Sequence, residues 1–327
     1  MQAMKLVRSA VTGAALALLA AEPAWSAAAV PVTVNPRQEA SIPGKFIWFD
    51  GITDDPAASE AFYGAVFGWT FLGVGTGEYR YTLIRNGERN IGGLLARPRD
   101  IGAQRGARWI ALMSVADPAR AARFVEAQGG KVLVPPVRFA GRGTHALFRD
   151  SEGALFGVLD SETGDPPDGP LVPGNFVWVD LFARDAARAG EFYRGLAGFD
   201  VSPMAVAPGV TRLVLTAAGR PRAAVVAMPK DSTDTGWLAF VEVEDVAATS
   251  AKVVAAGGRV LVAPRPDLLG GHGTIIADPL GGVVGIVNGR KATAAATAAA
   301  AAAATAAATA AASAAGTAAA AARETPK

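Results

Sequence analysis

The chain contains the same sequence pattern twice, and this internal repeat limits its possible folds more than any other feature. Residues 44–69 align with residues 174–199, and residues 109–134 align with residues 237–262. The positions that recur in the first pair of segments are Gly44, Phe46, Trp48, Asp50, Asp55, Ala57, Phe62, Tyr63 and Gly68. So many matches in one order predict two homologous modules in tandem.

The repeat fixes the expected domain boundaries. We expect the first module at about residues 44–160 and the second at about 174–289. The segment 162–173 between them is rich in Pro, Gly and Asp, which is typical of a linker. Residues 1–28 precede the first module as a signal peptide, and residues 290–327 follow the second as a low-complexity Ala/Thr tail.

Each module also repeats weakly within itself. Asp55-Pro56-Ala57 recurs as Asp117-Pro118-Ala119, and in each copy Asp as N-cap and Pro at the first helical position predict a helix start. Short apolar runs around these helices predict strands at 46–52, 79–84, 91–95, 109–115, 131–134, 144–148 and 155–159. The pattern is βαβββ, twice per module, and it predicts an α+β fold with helices covering one face of each sheet.

Four segments carry a resemblance to a known family. FIWFDGITDDPAASEAFYGAVFGW and FVWVDLFARDAARAGEFYRGLAGF open the two modules, and HALFRDSEGALFGVL and TIIADPLGGVVGIV close them. They resemble the vicinal oxygen chelate superfamily, the group of glyoxalases, bleomycin-resistance proteins and extradiol dioxygenases. The resemblance implies that the paired βαβββ units of each module curl into an open cup that holds a metal or a ligand.

The family metal is held by His, Gln or Glu residues on the first and last strands of each half. Carried over by position, the ligand places of this chain are Trp48, Trp178, Trp109/Ile110, Trp237/Leu238, Gly92-Gly93, Ala223-Ala224, Gly157 and Gly285. None of these side chains provides a nitrogen or oxygen ligand of the kind that a catalytic metal needs. The chain also has no cysteine and only two histidines. We therefore expect no metal and no cofactor.

Two aromatic–acid pairs are the main candidates for ligand binding. Because side chains alternate along a strand, Trp48 and Asp50 share one face of the first strand, as Trp178 and Asp180 do in the second module. One interpretation is an aromatic wall with a carboxylate, suited to a planar, apolar or cationic ligand. The other is that each Trp packs in the cup floor and each Asp pairs with an arginine such as Arg80 or Arg212.

The two histidines, His145 and His272, complete the list of candidate ligand-binding residues. They do not occupy equivalent places, since the repeat aligns His145 with Gly273 and Thr144 with His272. A lone histidine is most often a hydrogen-bonded surface or strand-end residue. His272 follows two glycines, so it could also line the mouth of a cup.

The two ends of the chain indicate where the protein acts. Lys5 and Arg8 precede an apolar run at 10–21, and Ala24-Trp25-Ser26 or Ser26-Ala27-Ala28 offers a cleavage site with small residues at its first and third positions. This pattern predicts export, so we expect a periplasmic or secreted protein with no membrane anchor after signal cleavage. The basic excess of the chain lies in these two ends, which argues against binding to nucleic acid.

Three functions follow from these observations. The first is an exported, glyoxalase-like protein that binds a small organic molecule in a cup without the family metal ligands. The second is an enzyme related to the lyases, isomerases or dioxygenases of the family, which would use cup carboxylates or a histidine. The third is a structural or interaction scaffold. Besides the small-molecule ligand, we expect either a homodimer or pairing of the two modules within one chain.

Overall fold

A computed structural model describes residues 41–74, 81–96, 106–207, 210–232, 235–266 and 268–294. The expected signal peptide, nearly all of the Ala/Thr tail and Arg80 lie outside these residues. The described chain forms two eight-stranded sheets, one in each half, and each sheet carries two α-helices. This arrangement confirms the predicted α+β fold with two tandem modules. No helix among the described residues has the length and apolar character needed to cross a membrane.

The first half of the chain builds the first sheet and its two helices. Its elements are β1 (Phe46–Thr53), α1 (Pro56–Phe67), β2 (Thr70–Val74), β3 (Tyr81–Asn86), β4 (Arg89–Ala96), β5 (Arg108–Ser114), α2 (Pro118–Ala127), β6 (Lys131–Phe139), β7 (Gly143–Arg149) and β8 (Leu155–Ser161). The strand β2 was not predicted. Among its five residues only Val74 is buried, so its sequence carries little alternation to recognise.

The second half repeats the same order of elements. They are β9 (Phe176–Ala183), α3 (Ala186–Ala197), β10 (Asp200–Ala207), β11 (Val210–Ala217), β12 (Arg220–Ala227), β13 (Gly236–Glu242), α4 (Val246–Ala255), β14 (Arg259–Val262), β15 (Gly273–Ala277) and β16 (Val283–Val287). A short 3-10 turn at Leu269–Gly271 precedes β15.

The two βαβββ units of a module join at the centre of its sheet. The strand orders are β2-β3-β4-β1-β5-β8-β7-β6 and β10-β11-β12-β9-β13-β16-β15-β14. In each sheet the first strands of the two units run antiparallel, β1 beside β5 and β9 beside β13. Each of these central strands also pairs in parallel with the last strand of its own unit. The two sheets can therefore be compared residue by residue.

The helices begin where the sequence predicts. Asp55 caps α1 by accepting a hydrogen bond from the Ala58 N–H at 3.0 Å, and Asp117 caps α2 through the Arg120 N–H at 2.9 Å. The aspartates before α3 and α4 cap those helices in the same way. A glycine with positive φ, which residues with a side chain rarely adopt, ends α1 at Gly68.

The two modules pack through their helix-bearing faces and share their cores. One apolar cluster joins Phe62 on α1 and Trp69 just after it with Val241 and Ile276 of the second module. The other joins the second half of the first module with the first half of the second module. The opposite face of each sheet, which points away from the helices, remains for a binding site.

Two buried tyrosines bridge the modules reciprocally. Tyr63 on α1 donates a hydrogen bond to Asp278 of the second module at 2.9 Å and accepts one from the Trp109 indole N–H at 2.8 Å. Tyr193 on α3 repeats this arrangement. Its partners are Asp150 at 3.0 Å and Trp237 at 2.9 Å. Both contacts join distant parts of the chain, so folding of one module is coupled to folding of the other.

Candidate ligand-binding cups

We call the sheet face that points away from the helices the cup of each module. Buried apolar side chains fill most of the first cup: Leu83, Ile110, Leu112, Val134, Leu147 and Leu159. The second cup is lined by Leu238, Phe240, Leu268 and Val287, with Trp178, Phe182, Val262, Leu269, Ile275 and Val283 only partly buried around them. The predicted aromatic–acid pairs lie one in each cup.

A buried polar network crosses the first cup. Arg142, from the turn between β6 and β7, donates to the Asp50 carboxylate at 2.6 Å. The same carboxylate accepts from the Trp48 indole at 2.9 Å and from the Tyr81 hydroxyl at 2.7 Å. The Arg142 guanidinium lies 5.9 Å from the Trp48 ring centre and 5.8 Å from that of Tyr81, within cation–π range. The network therefore satisfies and neutralises Asp50 internally.

The backbone of β4 makes room for this network. Gly93 lies directly across from Asp50 in the sheet, and a Cβ added to it would come within 2.0 Å of the Tyr81 ring. Only a residue without a side chain therefore fits beneath Tyr81. Burial and the neighbouring Asp50 raise the pKa of the Tyr81 hydroxyl well above its usual value, so it remains a hydrogen-bond donor.

His145 lies in the same cup, in the middle of β7. It is buried, its ring stacks on Phe139 with a centroid distance of 4.6 Å, and neither ring nitrogen has a hydrogen-bond partner. Burial, and secondarily the charge of Arg142, lower the pKa of His145 well below 6.5, which keeps the imidazole neutral. The expectation of a hydrogen-bonded surface or strand-end histidine is wrong for His145.

In the second cup the buried aspartate is also neutralised by an arginine, but the arginine comes from a strand rather than from a turn. The Trp178 indole donates to Asp180 at 2.8 Å, as in the first cup, and Arg212 on β11 donates to the same carboxylate at 2.8 Å. Strand pairing places Arg212 at the position of Tyr81. Burial raises the pKa of Asp180 above its usual value, and Arg212 opposes this shift.

The packing interpretation of these pairs predicted an arginine beside each aspartate. It is confirmed for Arg212 and Asp180. For Asp50 the arginine is Arg142, which the sequence did not single out because 92 residues separate the two.

The two cups differ in how far they are closed. Trp48, Val134 and Leu147 of the first cup are 2%, 1% and 4% exposed. Strand pairing makes their counterparts in the second cup Trp178, Val262 and Ile275, and all three are only half-buried. The second cup therefore presents apolar surface that the first cup has covered.

Glycines replace two of the large side chains that close the first cup. The β7–β8 and β15–β16 pairings make Gly273 the counterpart of His145, and the same offset places Gly270 at the position of Arg142. His272 is half-buried just before β15, and its described hydrogen bonds are made by its backbone with Leu269 and Asn288. The structure thus places His145 in the same cup as Trp48 and Asp50, whereas no hydrogen bond or ion pair among the described residues joins His272 to the Trp178–Asp180 pair.

The cups do not fit the metal site that the family implies. Ile110 and Leu238 face the cups at two of the expected ligand positions, whereas Trp109 and Trp237 turn to the helix side and bond the bridging tyrosines. A Cβ at Gly157 would lie 2.7 Å from Leu112, and one at Gly285 would lie 2.1 Å from the Phe240 ring. Within the ranges that the structure covers, no three His, Cys, Asp or Glu residues lie close enough to hold a metal.

The fold and the cups agree with what comparison to known proteins shows. The family model described as "Glyoxalase/Bleomycin resistance protein/Dioxygenase superfamily" matches residues 45–158 and 175–285. The anthracycline biosynthesis protein DauV of Streptomyces sp. (strain C5) is 30% identical over 274 residues, which cover 78% of this chain and 96% of DauV. The "Putative glyoxylase CFP32" of Mycobacterium tuberculosis (strain CDC 1551 / Oshkosh) is 26% identical over 246 residues, 73% of this chain and 93% of that protein.

Among solved structures, the Mn(II)-bound glyoxalase from Novosphingobium aromaticivorans superimposes with a TM-score of 0.52 at 20% identity. The match covers 75% of this chain and 82% of that one, and at this identity it supports the fold alone. The family model, by contrast, covers more than half of the sequence and matches it once in each module. The chain therefore belongs to the glyoxalase/bleomycin resistance protein/dioxygenase superfamily, with two copies of the family domain in tandem.

Proposed function

We propose that this protein binds a small, planar and largely apolar organic molecule in its second cup, without the metal of its family. The observation that carries the proposal is the difference in closure between the cups, in which Trp178, Val262 and Ile275 stay half-buried while their counterparts are covered. Concave apolar surface lined by aromatic side chains is the usual character of a small-molecule site.

The lining of the second cup indicates which ligand chemistry fits. Trp178 and Phe182 offer aromatic faces on which a planar ligand can stack, and Leu269 and Ile275 add aliphatic surface. The polar floor is the Asp180–Arg212 pair, whose charges cancel. A neutral ligand therefore enters this cup without leaving a buried charge unpaired. That two relatives are named for anthracycline biosynthesis agrees with a small organic ligand.

The direct test is titration of the purified full chain with Nile red, a neutral planar dye whose fluorescence rises in apolar surroundings. We expect saturable binding of one dye per chain. Trp178→Ala should weaken this binding by about tenfold, because a buried aromatic contact is typically worth more than 1 kcal/mol. Ile275→Phe should also weaken it by placing a ring in the cup. Leu72→Ala, at an exposed apolar position on edge strand β2, is the control and should bind like the unmodified chain.

The proposal fails if the dye does not bind, or if it binds equally well to Trp178→Ala and Ile275→Phe. Circular dichroism of each variant separates loss of binding from loss of fold. Native mass spectrometry of protein purified without added dye provides an independent readout. A small organic molecule that is retained by the original chain and absent from both Trp178→Ala and Ile275→Phe would support the second cup as its site.

We further propose that the protein is exported, on the basis of the signal-peptide pattern at residues 1–28. Expression in a bacterial host followed by cell fractionation tests this proposal. We expect the protein in the periplasm or medium, with an intact mass that corresponds to a mature N-terminus between Ala27 and Val30. Retention of Met1 on cytosolic protein would contradict it.

A further inference from the structure

A groove between the two modules has features of a second ligand site. It has a volume of about 240 Å³, and both modules and the linker contribute to its walls. Its lining includes the first residues of β1, β4 and β9, together with linker residues 166–171. This volume lies just below the range of about 300–1,000 Å³ that is typical of ligand pockets, so the groove suits a small metabolite.

Positive charge dominates the lining of this groove. Lys45, Arg89 and Arg222 line it, and Asp168 on the linker is its only acidic lining residue in the part of the chain that the structure describes. Lys45 Nζ lies 2.9 Å from Asp168, and Arg222 holds both carboxylate oxygens, at 2.6 and 2.9 Å. The Asp168 carboxylate therefore pairs with both Lys45 and Arg222, whose side chains are almost completely buried.

The charges next to the groove do not remove this excess. Asp165 is fully buried nearby, where it accepts hydrogen bonds from Ser114 and the Ile42 N–H. Burial raises the pKa of Asp165, which disfavours its negative charge. Arg220 lies 3.7 Å from Asp168 and adds a further positive charge at the edge. Even with Asp165 and Asp168 both ionised, four cations face two anions. A bound anion would compensate this surplus.

We propose that the groove between the modules binds a small organic carboxylate. Trp178 lines the groove as well as the second cup, so the two sites adjoin at this side chain. Arg89 at the start of β4 would meet the ligand from the first module, and Arg222 on β12 would meet it from the second. Apolar lining residues such as Phe46, Ile91 and Leu171 offer contacts to the organic part of the ligand. Binding would tie the two modules and their linker together, since all three contribute side chains to the groove.

Benzoate and its neutral counterpart benzamide are the test pair. They differ mainly in charge, so a site selected by positive charge should bind benzoate and not benzamide. We expect benzoate at millimolar concentration to raise the melting temperature of the full chain, and isothermal titration to give one site per chain. Inorganic phosphate, tested in parallel, shows whether any anion suffices or the organic part is needed. Phosphate binding as tight as benzoate binding would overturn the carboxylate assignment.

Two substitutions with opposite expected effects locate the site. Arg89→Gln removes an exposed groove cation that takes no part in the Asp168 cluster, and it should weaken benzoate binding by about threefold. Asp168→Asn removes the competing carboxylate, and it should tighten benzoate binding by about fivefold or more because repulsion of the anion is lost. Arg123→Gln, which removes an exposed charge on α2, is the matched control and should leave binding unchanged.

Each outcome decides the proposal. Absence of benzoate binding overturns it, as does binding that neither Arg89→Gln nor Asp168→Asn alters. If Asp168→Asn unfolds the chain, Arg89→Gln alone still decides, since its side chain lies outside the ion-pair cluster. Nile red binding to the same preparation is measured separately, so failure of the carboxylate site can be distinguished from failure of the second cup.

Discussion

Replacing Arg142 with leucine tests whether the first cup depends on its internal charge network. The substitution removes the cation that lies 2.6 Å from the Asp50 carboxylate and leaves that carboxylate buried among apolar side chains. Breaking a buried ion pair from one side costs about 3–5 kcal/mol. Trp48 and Tyr81 continue to donate to Asp50 at 2.9 and 2.7 Å, so we expect a loss near the lower end, about 3 kcal/mol.

Urea unfolding followed by tryptophan fluorescence measures this loss, because the chain has six tryptophans and the modules share their cores. Adding Asp50→Asn to Arg142→Leu should recover part of the lost free energy of unfolding, since the uncompensated charge disappears. Arg138→Leu is the control. Its side chain is 73% exposed and pairs with Glu162 at the surface, so its removal should cost no more than about 1 kcal/mol.

Two results would refute the reasoning. One is a cost for Arg142→Leu no larger than that of the Arg138→Leu control, which would mean that the buried pair contributes nothing beyond a surface pair. The other is a double variant less stable than Arg142→Leu alone, which would mean that the charge of Asp50 is not the source of the loss.

Three further predictions concern the bridges, the cup floor and pH. Tyr63→Phe should lower the free energy of unfolding, measured in urea, by about 1–3 kcal/mol, because Asp278 and the Trp109 indole lose a buried hydrogen-bond partner. Tyr193→Phe should have a similar effect, and the two losses should add in the double variant. Gly93→Ala should lower the free energy of unfolding by about 1–3 kcal/mol in thermal melts, because the added Cβ would overlap Tyr81. Gly236→Ala, where no atom lies near the added Cβ, should leave the free energy of unfolding almost unchanged. Burial keeps His145 neutral in the folded protein, so below the unfolded-state pKa of about 6.5 only the unfolded chain binds a proton at this residue. The free energy of unfolding should therefore be unaffected by His145 above about pH 6.5 and should fall by about 1.4 kcal/mol for each pH unit below it. His145→Leu should abolish this part of the pH dependence in unfolding measured between pH 7 and pH 5; an unchanged slope would contradict the prediction.

The sequence determined the architecture because the relevant signals are local or repeated. Asp55 and Asp117 identify helix starts through their own N-caps, and the repeat of residues 44–69 at 174–199 reveals the two modules. Alternation along β1 is by itself enough to place Trp48 and Asp50 on one face of the strand. The pairing of their side chains at 2.9 Å follows from that local geometry.

Only the tertiary structure decided how the two cups differ. Arg142 reaches Asp50 across 92 residues of sequence, and Tyr81 closes over Gly93 from a neighbouring strand. The one trace of this difference in the sequence is a break in the repeat, where Arg142 and His145 align with Gly270 and Gly273. Whether a cup is filled or open depends on which side chains the opposing strands and turns place in it. That is a property of long-range packing, which periodicity and spacing do not encode.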